Sequence, residues 1–176
     1  MNREEVRTRN IWSHSLFFAV GLLTWAGMHS AVGATAETEG TYTWHAELVA
    51  FDEAAGTVTV KSHLVSNADI EAATGLAEGD RAVLTWSGIS WAAGVRRISP
   101  ESETQLDRMT MPVEFVATDD AGQYVTFRVP IPRQDVPKIA ALEVGQWVTA
   151  ISPHQPSGWD ETVTAIRAYT DVADVS

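Results

Sequence analysis

The chain has 176 residues, 45% of them hydrophobic, and a formal net charge of −11. That length and apolar content suffice for a packed core, and the negative charge excludes nucleic acid and anionic lipid surfaces as partners, since both require a basic face. No cysteine is present, which removes disulfide frameworks, thiolate metal sites and cysteine nucleophiles.

Residues 1–36 begin slightly basic, with Arg3, Arg7 and Arg9 against Glu4 and Glu5. An uncharged apolar run from Ser15 to Met28 follows, then small residues at Ala31, Gly33, Ala34 and Ala36. This is the order of a secretory signal peptide. The same stretch nearly reaches the ~20 apolar residues of a membrane span, so an uncleaved anchor is the alternative. In either case the arginines hold the N-terminus inside. The rest of the chain is expected to be exported: periplasmic or extracellular after cleavage, or anchored in the inner membrane and facing the periplasm.

Beyond Glu37 short alternating runs rich in Val, Thr, Phe, Tyr and Trp dominate, broken by Gly, Asp and Pro. They predict strands rather than helices. Residues 43–51 read as a strand, 52–56 as a hairpin loop and 57–64 as the return strand. Asn67 is placed to cap a short helix over 68–74, which Gly75 stops. Strands over 81–86 and 91–98 complete this part. Residues 100–107 begin with a proline and are mostly polar, so they read as a linker. A strand over 109–118, a turn over 119–122 and a strand over 123–129 come next, ended by Pro130 and Pro132. Asp135 is placed to cap a second short helix with Pro137 in its first turn, ending near Leu142. Strands over 146–151 and 162–169 follow, then an acidic tail over 171–176.

The two halves match when the chain is laid on itself at an offset of about 67 residues. Glu47-Leu48-Val49-Ala50 falls on Glu114-Phe115-Val116-Ala117, Asp52 on Asp119, and Thr57-Val58-Thr59-Val60-Lys61 on Tyr124-Val125-Thr126-Phe127-Arg128. With small gaps, Leu76 and Gly79 meet Leu142 and Gly145, and Trp91 meets Trp159. The expectation is an all-β protein with an internal duplication of two small OB- or SH3-like barrel units, 40–99 and 108–170, each with one short helix. A unit of that size buries little alone. The units therefore either close separately and pack side by side, or interleave into one barrel with pseudo-two-fold symmetry.

No H-E-x-x-H, G-x-S-x-G or P-loop motif occurs, and the carboxylates concentrate in turns, where Asp serves turn chemistry. An enzyme is not expected. Two groups of residues carry chemistry. Trp44 and His45 open the first unit and form a candidate ligand face, in a barrel type that binds oligosaccharides; the acidic charge leaves the sugar-like option. Met109 and Met111 open the second unit. Two apart in a strand, they would share a face, and two thioethers with an imidazole suit a soft ion such as Cu(I) or Ag(I). Filling of the barrel interior by methionine is the competing expectation.

Met109-Thr110-Met111-Pro112 with the Phe-Val strand after it resembles the Met-x-Met-Pro strand of small periplasmic copper- and silver-binding barrels that accompany metal-efflux pumps. Leu142-Glu143-Val144-Gly145-Gln146-Trp147-Val148 and the strand from Val163 to Ile166 resemble that family's next strands. The resemblance implies an OB-like barrel binding one soft ion through a histidine and two methionines under a tryptophan. Met109 and Met111 carry over directly; His63 would supply the imidazole, two positions beyond the family's ligand.

Together these features predict an exported, non-enzymatic binding or accessory protein with a protein or polar ligand as partner. A periplasmic Cu(I)/Ag(I)-binding protein using Met109, Met111 and His63 is the alternative. A membrane-anchored accessory subunit of a larger complex is the third reading, should the N-terminal segment be retained.

Overall fold

A computed structural model describes residues 40–87 and 94–170. The expected signal or anchor segment, Trp91 and the acidic tail lie outside the described residues. Those described belong to one compact unit and are mostly antiparallel β-sheet. The strands are β1 (Thr41–Asp52), β2 (Thr57–Asp69), β3 (Arg81–Ser87), β4 (Gly94–Pro100), β5 (Thr110–Thr118), β6 (Tyr124–Pro130), β7 (Trp147–Pro153) and β8 (Ala165–Ala168). One short α-helix, α1 (Val136–Ala140), and a few 3-10 turns connect them.

Period-two alternation produces these strands. In β1, Tyr42, Trp44, Ala46 and Leu48 are buried while the residues between them are partly exposed, as side chains on successive strand residues must point to opposite faces. Turn aspartates close the hairpins. Asp52 Oδ1 accepts from the Ala55 amide at 2.9 Å, and Asp119 Oδ1 accepts from Gln123 at 2.7 Å and Tyr124 at 2.6 Å. Each hairpin also contains a glycine in the left-handed region, Gly56 (φ 65°) and Gly122 (φ 61°), where a Cβ is disfavoured.

The strand order is β4-β3-β5-β6-β2-β1-β7-β8, with an additional parallel pairing of β4 to β2. The pairings β2–β6, β6–β5, β5–β3, β3–β4 and β4–β2 therefore form a closed circuit of five strands, from which β1, β7 and β8 extend. Residues 40–99 and 108–170 do not make separate sheets. β1 pairs with β7, β3 with β5 and β2 with β6, and one core cluster draws on all eight strands. Four strands bury too little apolar surface alone, and sharing a sheet supplies the second half of the core.

The β1–β2 and β5–β6 hairpins share local features. The β1–β2 pairing has a bulge between Leu48 and Ala50, and the β5–β6 pairing has one between Phe115 and Ala117. Just before each bulge a cross-strand ion pair lies on the surface: Glu47 with Lys61 (2.8 Å), and Glu114 with Arg128. Across the β2–β6 contact Val60 pairs with Phe127.

Three local expectations are corrected. The helix over 68–74 is absent: β2 runs on to Asp69 and a 3-10 turn occupies Glu71–Gly75 without a side-chain cap. Pairing of Leu64 and Asp69 with Val95 and Arg97 of β4 outcompetes the local helical preference. Asp135 does not cap α1. Its buried carboxylate instead accepts the Ile166 amide of β8 at 3.0 Å and the Lys138 ammonium at 2.6 Å. The last strand is shorter than expected, because a 3-10 turn occupies Trp159–Glu161 before it.

Candidate ligand-binding face

The outer side of β1, β7 and β8 forms a grid set by strand register. Glu47 pairs with Trp147, whose carbonyl accepts the Tyr169 amide at 2.8 Å. In the next row His45 pairs with Thr149, and Thr149 with Arg167. The third row is Thr43, Ile151 and Ala165. The inner side of the same strands, including Trp44, Ala46, Val148, Ala150 and Ile166, is buried in the core, so the grid stands on a rigid support.

Trp147 is 45% exposed and Tyr169 39%. They are two of the four exposed large hydrophobic side chains among the described residues, and they lie side by side on the sheet. His45 lies against both neighbours. Its Nδ1 is 3.1 Å from Thr149 Oγ1, and its ring meets Tyr169 edge-on at 5.0 Å. Burial, and secondarily the Arg167 charge, holds its pKa below the ordinary histidine value, so the imidazole is neutral at neutral pH. On the β2 side Lys61, hydrogen-bonded to Glu47, reaches over the ring of exposed Tyr124 at 5.4 Å. The face thus combines ring platforms with a neutral imidazole and a cation.

The structure separates Trp44 from His45. Trp44 is 1% exposed: it stacks on Trp86 at 5.5 Å, tilts against Phe127 and donates its indole N–H to Ser152 at 2.8 Å. Adjacent strand residues cannot share a face, so Trp44 is withdrawn from the ligand face and His45 stays on it. The sequence reading did not place Trp147 and Tyr169 on this face. The available signal was phase: Val148 and Ala150 have the core parity, which puts Trp147 outside.

The residues expected to hold a soft ion do not meet. Met109 precedes β5 with a left-handed backbone (φ 63°), so strand alternation does not relate its side chain to that of Met111. Its amide donates to the His154 carbonyl at 2.9 Å and its carbonyl accepts the Trp86 amide at 3.0 Å. Met111 is fully buried, with the Ser152 hydroxyl 3.9 Å from its sulfur. His63 lies across from Tyr124 in β6, on the side of β2 shared with Lys61 and opposite buried Ser62 and Leu64. His63 and Met111 therefore project to opposite sides of the sheet, and the three ligands do not fit one ion. Among the described residues no group of three His, Asp or Glu side chains converges either.

A second polar locus is internal. The Tyr42 ring stacks on His154 at 5.6 Å. The Tyr42 hydroxyl, Trp86 Nε1 and His154 Nδ1 are buried without a hydrogen-bond partner among the described residues. Burial pushes the Tyr42 phenol far above its ordinary value, only partly offset by neighbouring Ser152. Ser152 is engaged by Trp44, and no Ser152 contact to the phenol meets hydrogen-bond geometry.

Compared with protein-family models, with curated proteins and with solved structures, the chain matches none of them.

Proposed function

We propose that this protein is an exported, non-enzymatic binding module that recognises a carbohydrate on the outer face of β1, β7 and β8. The observation that carries the reading is the exposed Trp147 and Tyr169 pair, set beside His45 and Thr149 on a rigid sheet. A pyranose ring presents C–H bonds on one face and hydroxyls at its rim. The C–H face stacks on an indole or phenol ring, and the rim hydroxyls exchange hydrogen bonds with a neutral imidazole that buried Thr149 helps to hold in place. The acidic composition is compatible with such a ligand and opposes nucleic acid. The N-terminal sequence supports export, with retention as an anchor the alternative that the intact mass of the exported product distinguishes.

The fold reading belongs to the same proposal. We infer a duplicated OB-like unit whose copies interleave about an axis near the Val60 and Phe127 pair. The matching bulges, the matching ion pairs and the pairing of Val60 with its own counterpart support this. Duplication also accounts for why Arg81 pairs with Glu114 in the same register in which Trp147 pairs with Glu47.

The test is titration of the protein with a panel of soluble oligosaccharides, following tryptophan emission and heat. At least one class is expected to bind, with affinity falling about tenfold or more in Trp147→Ala and Tyr169→Ala, since loss of one stacking contact costs ~1–3 kcal/mol by analogy with base stacking. Binding that survives both substitutions undiminished, or no binding across the panel, refutes the proposal.

A further inference from the structure

Arg167 stands between the aromatic platform and a cavity of about 200 Å³ lined by Asp135, Lys138, Thr149, Ile151, Ala165 and Arg167. It occupies the row next to Tyr169 and Trp147, and pairs with Thr149 across β7 and β8. The other charges on this part of the surface cancel in pairs: Lys61 with Glu47 at 2.8 Å, and Lys138 with Asp135 at 2.6 Å. The Arg167 side chain forms no ion pair or hydrogen bond with any described residue. Among the described residues the platform therefore carries an unpaired guanidinium at its edge.

We infer that the ligand of this face carries a carboxylate, as in a sugar of the uronic-acid class, and that Arg167 reads it. This rests on the carbohydrate reading above and narrows it. A planar guanidinium binds a carboxylate through two parallel hydrogen bonds. Residues two apart on a strand are roughly 6–7 Å apart, so a ring stacked on Tyr169 and Trp147 brings a ring substituent within reach of Arg167. Ile151 and Ala165 line the cavity beyond it, together with the Asp135–Lys138 ion pair, whose charges offset each other. The net charge of −11 is distributed over the whole chain. Charges farther away than about 8 Å are largely screened at physiological salt, so the local cation governs.

The experiment is calorimetric titration of the protein with uronic-acid trisaccharides of several linkages and with their carboxyl-reduced neutral counterparts. One acidic trisaccharide is expected to bind about tenfold tighter than its reduced form, as a charge-assisted bidentate contact is worth more than a neutral one. That preference shrinks with added salt. Arg167→Ala brings the acidic sugar to the affinity of the neutral one without weakening the neutral one, and Arg167→Lys keeps part of the preference. Equal affinities, or a preference that survives Arg167→Ala, overturn the inference while Trp147-dependent binding leaves the carbohydrate reading standing. Failure of both sugar forms to bind overturns both.

Discussion

Asp135 offers the sharpest test of how the ligand face is held. Its carboxylate is 3% exposed, accepts the Ile166 amide at 3.0 Å and is paired with Lys138, whose side chain is 60% exposed. β8 is only four residues long and ends the strand order, pairing with β7. A sheet-end amide turned away from its neighbour has no ladder partner, so the Asp135 carboxylate takes the place of a further strand for Ile166. Asp135→Ala leaves that buried amide unsatisfied, at about 1–3 kcal/mol. It also removes the partner of a largely solvated lysine, worth about 0–1 kcal/mol. The expected loss is about 2 kcal/mol, or roughly 4–8 °C in Tm for a domain of this size. Asp135→Asn keeps an oxygen acceptor for Ile166 and loses only the weak ion pair, so it should cost no more than about 1 kcal/mol. Urea unfolding followed by tryptophan emission, at unchanged m-value, measures both, and hydrogen exchange should show faster opening at Ile166 in the alanine variant alone. An alanine variant within about 0.5 kcal/mol of the parent, or an asparagine variant as unstable as alanine, refutes the edge-cap account.

Three further outcomes are expected. A Cβ at position 94 would lie 2.6 Å from His63 Nε2 and 2.8 Å from the His63 carbonyl oxygen; Gly94→Ala should therefore destabilise by about 1–3 kcal/mol, and adding His63→Ala should recover only part, because the backbone clash remains. The His45 pKa is lowered in the fold by burial and then by Arg167, so its contribution to stability is complete above the unfolded value near 6.5 and is lost as pH falls through the folded value. The fall in urea midpoint between neutral and mildly acidic pH should accordingly be smaller in His45→Gln, and an unchanged fall contradicts the assignment. Trp147→Arg places at this position the residue that Arg81 provides at the matching register opposite Glu114; stability should stay within about 0.5 kcal/mol, while oligosaccharide binding is lost, and retained binding would contradict the platform.

What could be read from the sequence was what period two and turn chemistry control. The parity of Tyr42, Trp44, Ala46 and Leu48 and the turn roles of Asp52 and Asp119 follow from local rules. Partnering is set by distant residues and was not legible. Asn67 has the form of a helix cap, yet the adjacent segment pairs in parallel with β4, about thirty residues away. Asp135 also has the form of a cap, yet the Ile166 amide, distant in sequence, claims its carboxylate. Met109 defeated the alternation argument for a backbone reason, since a non-glycine residue at positive φ is uncommon and nothing in Met109-Thr110-Met111 announces it. The candidate face was half legible: the parity rule that places His45 outside also places Trp44 inside, and Trp147 and Tyr169 join His45 only once β7 is known to pair with β1 and β8 with β7.

The two matching rows of the sheet show why the β1, β7 and β8 face, rather than its counterpart, is the one to associate with a ligand. On one side Arg81, Glu114 and Arg128 line up across β3, β5 and β6, and Trp159 covers Arg81 with its ring 3.9 Å from the guanidinium carbon. On the other, Trp147, Glu47 and Lys61 line up across β7, β1 and β2, and Trp147 remains 45% exposed. The backbone register and the central glutamate with its basic partner are the same, so the scaffold's requirements are met equally in both rows. An exposed arginine stacked against Trp159 satisfies that outer position in the first row, so the strand itself need not supply an indole there. The exposed indole of the second row is then unexplained by folding, and its neighbours Tyr169, His45 and Arg167 supply a second ring, a neutral imidazole and a free guanidinium within one or two residues of strand. A surface with those groups in that arrangement is suited to a ring-shaped polar ligand with an anionic substituent.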